Sequence, residues 1–290
     1  MTFTLDLLPP NPNLEFIEEG HKYVYHDAVL GTIQPKSVST VLAETEAKCF
    51  NYGIWRKSLM KKGLTYDQAE AFMKWHREHR AQVGTDFHYA MEHCLKGSTP
   101  SREILPEAQA IFAHFDKDFV PNMRRVLIVE QPMLHRSFLY TGTPDLLVEM
   151  NDGSLVLGDY KTVPNAEKAH NDMLWWLEHH GLTEALQLNR ENWPDIDGKE
   201  SRSWRKRAEW ILQLAAYSEL IRANHGITIE KAGNIVLNDT RFRLLPYNKA
   251  DLNQAWNRYA GFLLEYHSRQ ASLGNAVSRL ALPAVQALFT

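Results

Sequence analysis

The sequence predicts one α/β domain in which a β meander is preceded and followed by helices. Three observations carry that expectation. Apolar residues recur at helical spacing between residues 37 and 119; from Arg125 to Lys161 the period shifts to two; after residue 207 a strong helix returns, followed by two short β-like runs and a last helix. No internal repeat and no linker divides the chain.

Residues 1–36 are rich in Pro and Gly, with an alternating HKYVY and a turn at Gly31, and predict a small hairpin that covers the fold proper, 37–290. Ser37 and Ser39 are N-cap candidates for a helix SVSTVLAETEAKCF. The stretch from Ile54 to Arg80, with Trp55, Leu59, Phe72 and Trp75, reads helical around a break at Gly63. A further helix is expected to start after Gly84, because Phe87, Ala90, Met91, Cys94 and Leu95 fall on one face, with His88 at its border. Pro106 to Phe119 is the next. RVLIVEQPML, TPDLLVEM and SLVLGDYK then form the meander, with a turn at Asn151-Asp152-Gly153 between the last two. Residues 165–207 are polar, tryptophan-rich and broken in pattern, which reads as an insertion. AEWILQLAAYSELIRANH is a helix ended by Gly226; GNIVLN and RFRLLPY are short strands; Lys249 to Gln270 is helical, with Trp256, Tyr259, Phe262 and Leu263 on one face.

Composition removes several function classes. Hydrophobic residues at 44% and charged residues at 23% exclude a disordered or coiled-coil chain. With 32 basic and 35 acidic residues and a net charge of −3, no field over the whole surface would hold a polyanion, so any nucleic-acid contact must be local. Cys49 and Cys94 are too few for a disulfide framework, a four-thiolate zinc site or an iron–sulfur cluster. The N-terminus lacks a basic stretch before an apolar core, and no apolar run approaches a membrane span. A cytoplasmic protein without membrane contact is the expectation.

The segment TGTPDLLVEMNDGSLVLGDYKTV carries the chemistry. If Asn151, Asp152 and Gly153 form a three-residue loop, Met150 pairs with Ser154, and counting back along the strands sets Asp145 opposite Asp159 on one face. Opposed carboxylates repel, and a divalent cation is the obvious neutraliser. Lys161 emerges on the same face as Asp159, where an ammonium beside a metal suits phosphate chemistry. A salt bridge at a strand edge is the plain alternative, since D-x-K alone is a common tripeptide.

Taken together these motifs resemble the PD-(D/E)xK nuclease superfamily, within it the RecB-like exonuclease branch that includes mitochondrial genome maintenance and CRISPR-associated exonucleases. G-T-x-x-H stands at Gly84, Thr85 and His88; Glu130 precedes the hairpin; P-D is Pro144 and Asp145; D-Y-K is Asp159 to Lys161; Q-x-x-x-Y is Gln213 and Tyr217. The resemblance implies a restriction-endonuclease-like core whose central mixed sheet is flanked by helices, with the site on an antiparallel hairpin. It implies that His88, Asp145, Asp159 and the Tyr160 carbonyl ligate Mg2+ or Mn2+, that Lys161 orients the attacking water, and that Glu130 assists a second metal or holds Lys161. Gln213 and Tyr217 would contact DNA near the site; spacing alone favours a core Tyr with an incidental Gln. Relatives with an iron–sulfur cluster carry four cysteines, which this chain lacks. Arg202, Arg205, Lys206 and Arg207, interleaved with Trp204 and Trp210, suit phosphate contact and base stacking as well as they suit a solvated helix face. The insertion is expected to stand over the site and to meet DNA through Trp204, Arg205 and Arg207, with a packed helical decoration or a protein interface as the equal alternative. The function so implied is a metal-dependent deoxyribonuclease acting on single-stranded DNA or duplex ends, an exonuclease before a structure- or site-specific endonuclease or a non-catalytic DNA-binding subunit.

Overall fold

The computed structural model describes residues 3–45, 52–163, 175, 176, 179, 180, 203–238 and 242–290, with the backbone alone for 203–207 and 242. In chain order the strands are β1 (Thr4–Leu5), β2 (Leu14–Ile17), β3 (Lys22–Asp27), β4 (Gly31–Ile33), β5 (Lys36–Ser37), β6 (Met123–Val129), β7 (Met133–His135), β8 (Tyr140–Gly142), β9 (Leu146–Met150), β10 (Leu155–Thr162), β11 (Lys231–Leu237) and β12 (Phe242–Asn248). The helices are α1 (Val38–Thr45), α2 (Tyr52–Lys61), α3 (Tyr66–Lys96), α4 (Pro106–Asp118), α5 (Ser203–His225), α6 (Lys249–Ser272) and α7 (Ala276–Gln286).

The central sheet is mixed, in the order β1-β6-β9-β10-β11-β12, with β1 parallel to β6 and β10 parallel to β11. A parallel pair needs a crossover, and α5 lies in the one between β10 and β11. Alternation along β10 sends Leu157 into a core with Val38, Leu212, Leu220, Tyr259 and Leu263, and Tyr160 into a second core with Val83, Phe87, Met91 and Phe115. Helices therefore cover both faces, as α1, α5 and α6 on one side and α3 and α4 on the other.

The hairpin register follows the sequence arithmetic. Met150 donates to Ser154, Gly153 takes a φ of 79°, and the pairs Glu149 with Leu155 through Leu146 with Gly158 follow. The ladder stops there, one pair short of the expected Asp145 and Asp159. Asp145 lies beyond the end of β9, and the strands part at that point.

The helices also depart from expectation in one informative place. Ser37 caps α1 by accepting from the Thr40 N–H, and Gly63, with a φ of 96°, separates α2 from α3. Helix α3 then starts in a reciprocal cap between Thr65 and Gln68 and runs unbroken for 31 residues, about 46 Å at 1.5 Å per residue. Gly84 does not interrupt it. A Cβ at that position would lie 3.3 Å from Thr162 Oγ1 on β10, so the glycine serves close approach of helix to sheet rather than termination. The N-terminal half of α3 packs Phe72 and Met73 with Leu59 and Trp176, and its C-terminal half packs on the sheet.

Two further expectations are corrected. The N-terminal segment is more than a covering hairpin: β1 joins the edge of the central sheet, β2-β3-β4 form their own sheet, and β5 pairs with β8. RVLIVEQPML is not one strand, because Glu130 has a φ of 45° that turns β7 away to pair with β8. Helix α7, capped by Asn275, was not foreseen. Cys94, on the apolar face of α3, is half-buried, and Cys49 lies outside the described residues. Among the described residues no helix is long and apolar enough to cross a membrane.

Candidate metal centre

The site forms where β9 and β10 separate. Phe87 is fully buried and sets the rotation of α3, its ring edge-on to Tyr160 at 5.4 Å, which leaves the neighbouring His88 at the sheet's open end. Glu130 follows β6, and its N–H donates to the Asp145 carbonyl at 3.0 Å, so these two acids are backbone neighbours. The freed N–H of Tyr160, which has no strand partner on the β9 side, donates to Asp145 Oδ2 at 2.6 Å. His88 Nδ1 donates to Glu130 Oε1 at 2.6 Å and lies 3.9 Å from Asp145 Oδ1. One ligand atom from each of His88, Glu130 and Asp145 falls within 4.8 Å of the others.

A second group adjoins on the α5 side of the sheet. Lys161 Nζ donates to Asp159, 2.9 Å from Oδ1 and 2.7 Å from Oδ2, and to Gln213 Oε1 at 3.0 Å. Gln213 Nε2 in turn donates to Tyr217 Oη at 2.7 Å. Tyr217 reaches this position because Gly142 has no Cβ; one there would sit 2.6 Å from the tyrosine ring. Asn234 on β11, paired in register with Asp159, donates from Nδ2 to Asp159 Oδ2 at 2.7 Å.

Electrostatically the site holds three carboxylates against two cations. Burial raises the Asp145 carboxyl to about 6, with the charge of Glu130 adding and those of His88 and Lys161 opposing. Burial likewise raises Asp159 to about 6, against the pull of Lys161. Burial also disfavours the His88 imidazolium, but the charges of Asp145 and Glu130 outweigh it and lift His88 to about 9.

Of the residues expected from sequence, His88, Glu130 and Asp145 come together as one trio. Asp159 adjoins them through its charge but is turned to Lys161 and Asn234. Glu130 holds His88 and has no hydrogen bond to Lys161. The Tyr160 side chain is buried on the α3 face. Tyr217 is a core tyrosine, as its spacing suggests, but Gln213 is not incidental: it links the tyrosine hydroxyl to Lys161. The side chains of Trp204, Arg205 and Arg207, and most of 165–207, lie outside the described residues. Trp175 and Trp176 are described: Trp175 stacks on Trp75 at 5.3 Å and Trp176 packs on Phe72 at 5.5 Å, against the N-terminal half of α3.

Two residues escaped the sequence reading. Asn234 had a weak signal, a polar residue inside the apolar run GNIVLN. Tyr23 had none: its hydroxyl is 2.8 Å from Thr143 Oγ1, and burial, then the charges of Glu130 and Asp145, raise its pKa, which places it in their field. No family model matches the chain, and no match was found among the curated proteins.

Proposed function

We propose that the chain is a metal-dependent deoxyribonuclease with a restriction-endonuclease-like core, an exonuclease of the RecB-like kind. The observation that carries this reading is the donor set at the opened hairpin: a histidine and two carboxylates within 4.8 Å of one another, beside a buried carboxylate paired with a lysine. The fit to a hard divalent cation rests on chemistry, since oxygen donors dominate and Asp145 and Asp159 are both held away from their ordinary pKa by burial.

His88, Asp145 and Asp159, with the Tyr160 carbonyl and with Glu130 at hand, would hold magnesium or manganese. When bound, the ion would act as Lewis acid toward a phosphodiester and lower the pKa of water. The protein's own groups do the rest. Lys161, steered by Gln213, directs a positive charge to where a phosphoryl oxygen gains charge and where a water is to be oriented. Glu130 holds the His88 ring through Nδ1. DNA, as single strands or duplex ends, is the proposed substrate.

A time course on 5′- and 3′-labelled linear DNA, single- and double-stranded, with circular DNA beside it, tests the reading. Cleavage of linear DNA with magnesium or manganese and none in excess chelator is expected. Cutting of circular DNA would favour an endonuclease, and cleavage undiminished in excess chelator, or absent with every substrate and metal, would refute the assignment.

A further inference from the structure

Asn234 is fully buried in the middle of β11, a strand whose neighbours Ile235 and Leu237 fill the core. Parallel pairing of β10 and β11 puts it beside Asp159, and its Nδ2 gives Asp159 Oδ2 a 2.7 Å hydrogen bond. The amide orientation is fixed by that bond, since the reverse would face two acceptors toward each other. Its Oδ1 consequently has no hydrogen-bond partner among the described residues, although it is buried. A buried acceptor without a donor disfavours folding, and an apolar side chain of similar size would carry no such cost. Packing therefore does not explain an amide at this position. What the amide supplies is a donor to one oxygen of Asp159, while Lys161 reaches both oxygens.

We propose that Asn234 is a positioning residue of the metal centre, fixing the plane of the Asp159 carboxylate so that a lone pair stays aimed at the cation when Lys161 turns from Asp159 toward phosphate. This rests on the nuclease reading above. A carboxylate has about four lone-pair directions, and two neutral or cationic donors leave room for a metal without releasing Asn234. Neither Asn234 nor its strand belongs to the motif residues, and the link to Asp159 spans 75 positions of sequence.

Asn234→Leu, Asn234→Ser and Asp159→Asn, compared with the unaltered chain, test the proposal. Manganese affinity is read by titration calorimetry, and kcat and KM for linear DNA are read separately. Asn234→Leu and Asn234→Ser should each weaken manganese binding about tenfold or more, as loss of a ligand's supporting hydrogen bond does, and lower kcat at limiting metal with KM for DNA unchanged. Circular dichroism checks folding, and Asn234→Ser stands in if the leucine variant does not fold. Metal affinity and kcat within twofold of the unaltered chain in a folded variant, while Asp159→Asn loses both, would overturn the role of Asn234 and leave the nuclease reading standing. If Asp159→Asn also kept full metal affinity and activity, the nuclease reading itself would fall.

Discussion

Metal affinity should be governed by a proton on His88. In the metal-free protein Asp145 and Glu130 keep that imidazole charged up to about pH 9, and a cation can use it only after the proton leaves. Between about pH 6 and 9 each unit of acidification should then weaken manganese binding about tenfold, so the dissociation constant at pH 7 exceeds that at pH 9 by up to about 100-fold. Below about pH 6 the dependence steepens, since Asp145 and Asp159 begin to take up protons as well. Stability of the apo protein runs in the matching sense. A raised histidine contributes stability that is full below its ordinary value of 6.5 and lost as pH rises through about 9, and the two raised carboxyls contribute only below 3.8 and lose it as pH rises through about 6. Metal-free protein should therefore lose stability on going from mildly acidic to alkaline pH, and the gain in Tm from manganese should grow over the same range. Calorimetric titrations at several pH values, in buffers of different ionisation enthalpy, measure both the affinity and the protons released. His88→Ala should bind more weakly at pH 9 and lose the slope between pH 6 and 9. A flat affinity across that range in the unaltered protein, or an equal slope in His88→Ala, would refute the reasoning.

Other expectations follow from the same geometry. Lys161→Ala should lower kcat by about 10²–10⁴ with KM for DNA little changed; its apo Tm should fall more at pH 8 than at pH 5, because protonated Asp159 needs no cation, and equal losses at both would contradict the pairing. Gln213→Leu should slow turnover and broaden its pH profile while far-ultraviolet circular dichroism stays unchanged, and a normal profile would detach Gln213 from the lysine. Gly142→Ala should destabilise the fold by about 1–3 kcal/mol in denaturant titrations, since its Cβ would meet the Tyr217 ring and the Leu220 side chain. Calcium should support DNA binding with little cleavage, because its loose shell positions water poorly, and turnover equal to that with magnesium would argue against the metal role.

Local pattern determined much of this protein. Gly153 in a three-residue turn sets a hairpin register by simple counting, because β pairing has a period of two and one anchored pair orders the rest. Ser37, Pro106, Gly226 and the apolar spacing of α5 and α6 mark helices through short-range chemistry that needs no tertiary partner. Asp145, Asp159 and Lys161 are reached from residue type and hairpin spacing, whereas His88, Glu130, Gln213 and Tyr217 are singled out by the family resemblance, which also supplies the roles.

Tertiary structure decided what each of those groups touches. Gly84 looks like a helix boundary in sequence and is a close contact point in the fold, since only the position of Thr162 shows that a side chain there would be crowded. The ladder stops at Leu146 and Gly158 because β9 and β10 diverge, and that divergence turns Asp145 from the opposite number of Asp159 into the partner of His88 and Glu130. Gln213 reads as incidental until α5 packs on the sheet and brings it 3.0 Å from Lys161. Asn234 and Tyr23 are joined to the site only by strand pairing and by docking of the N-terminal sheet, contacts between residues far apart in the chain. Such contacts depend on how whole elements pack, and periodicity along one segment carries no record of the neighbour it will meet.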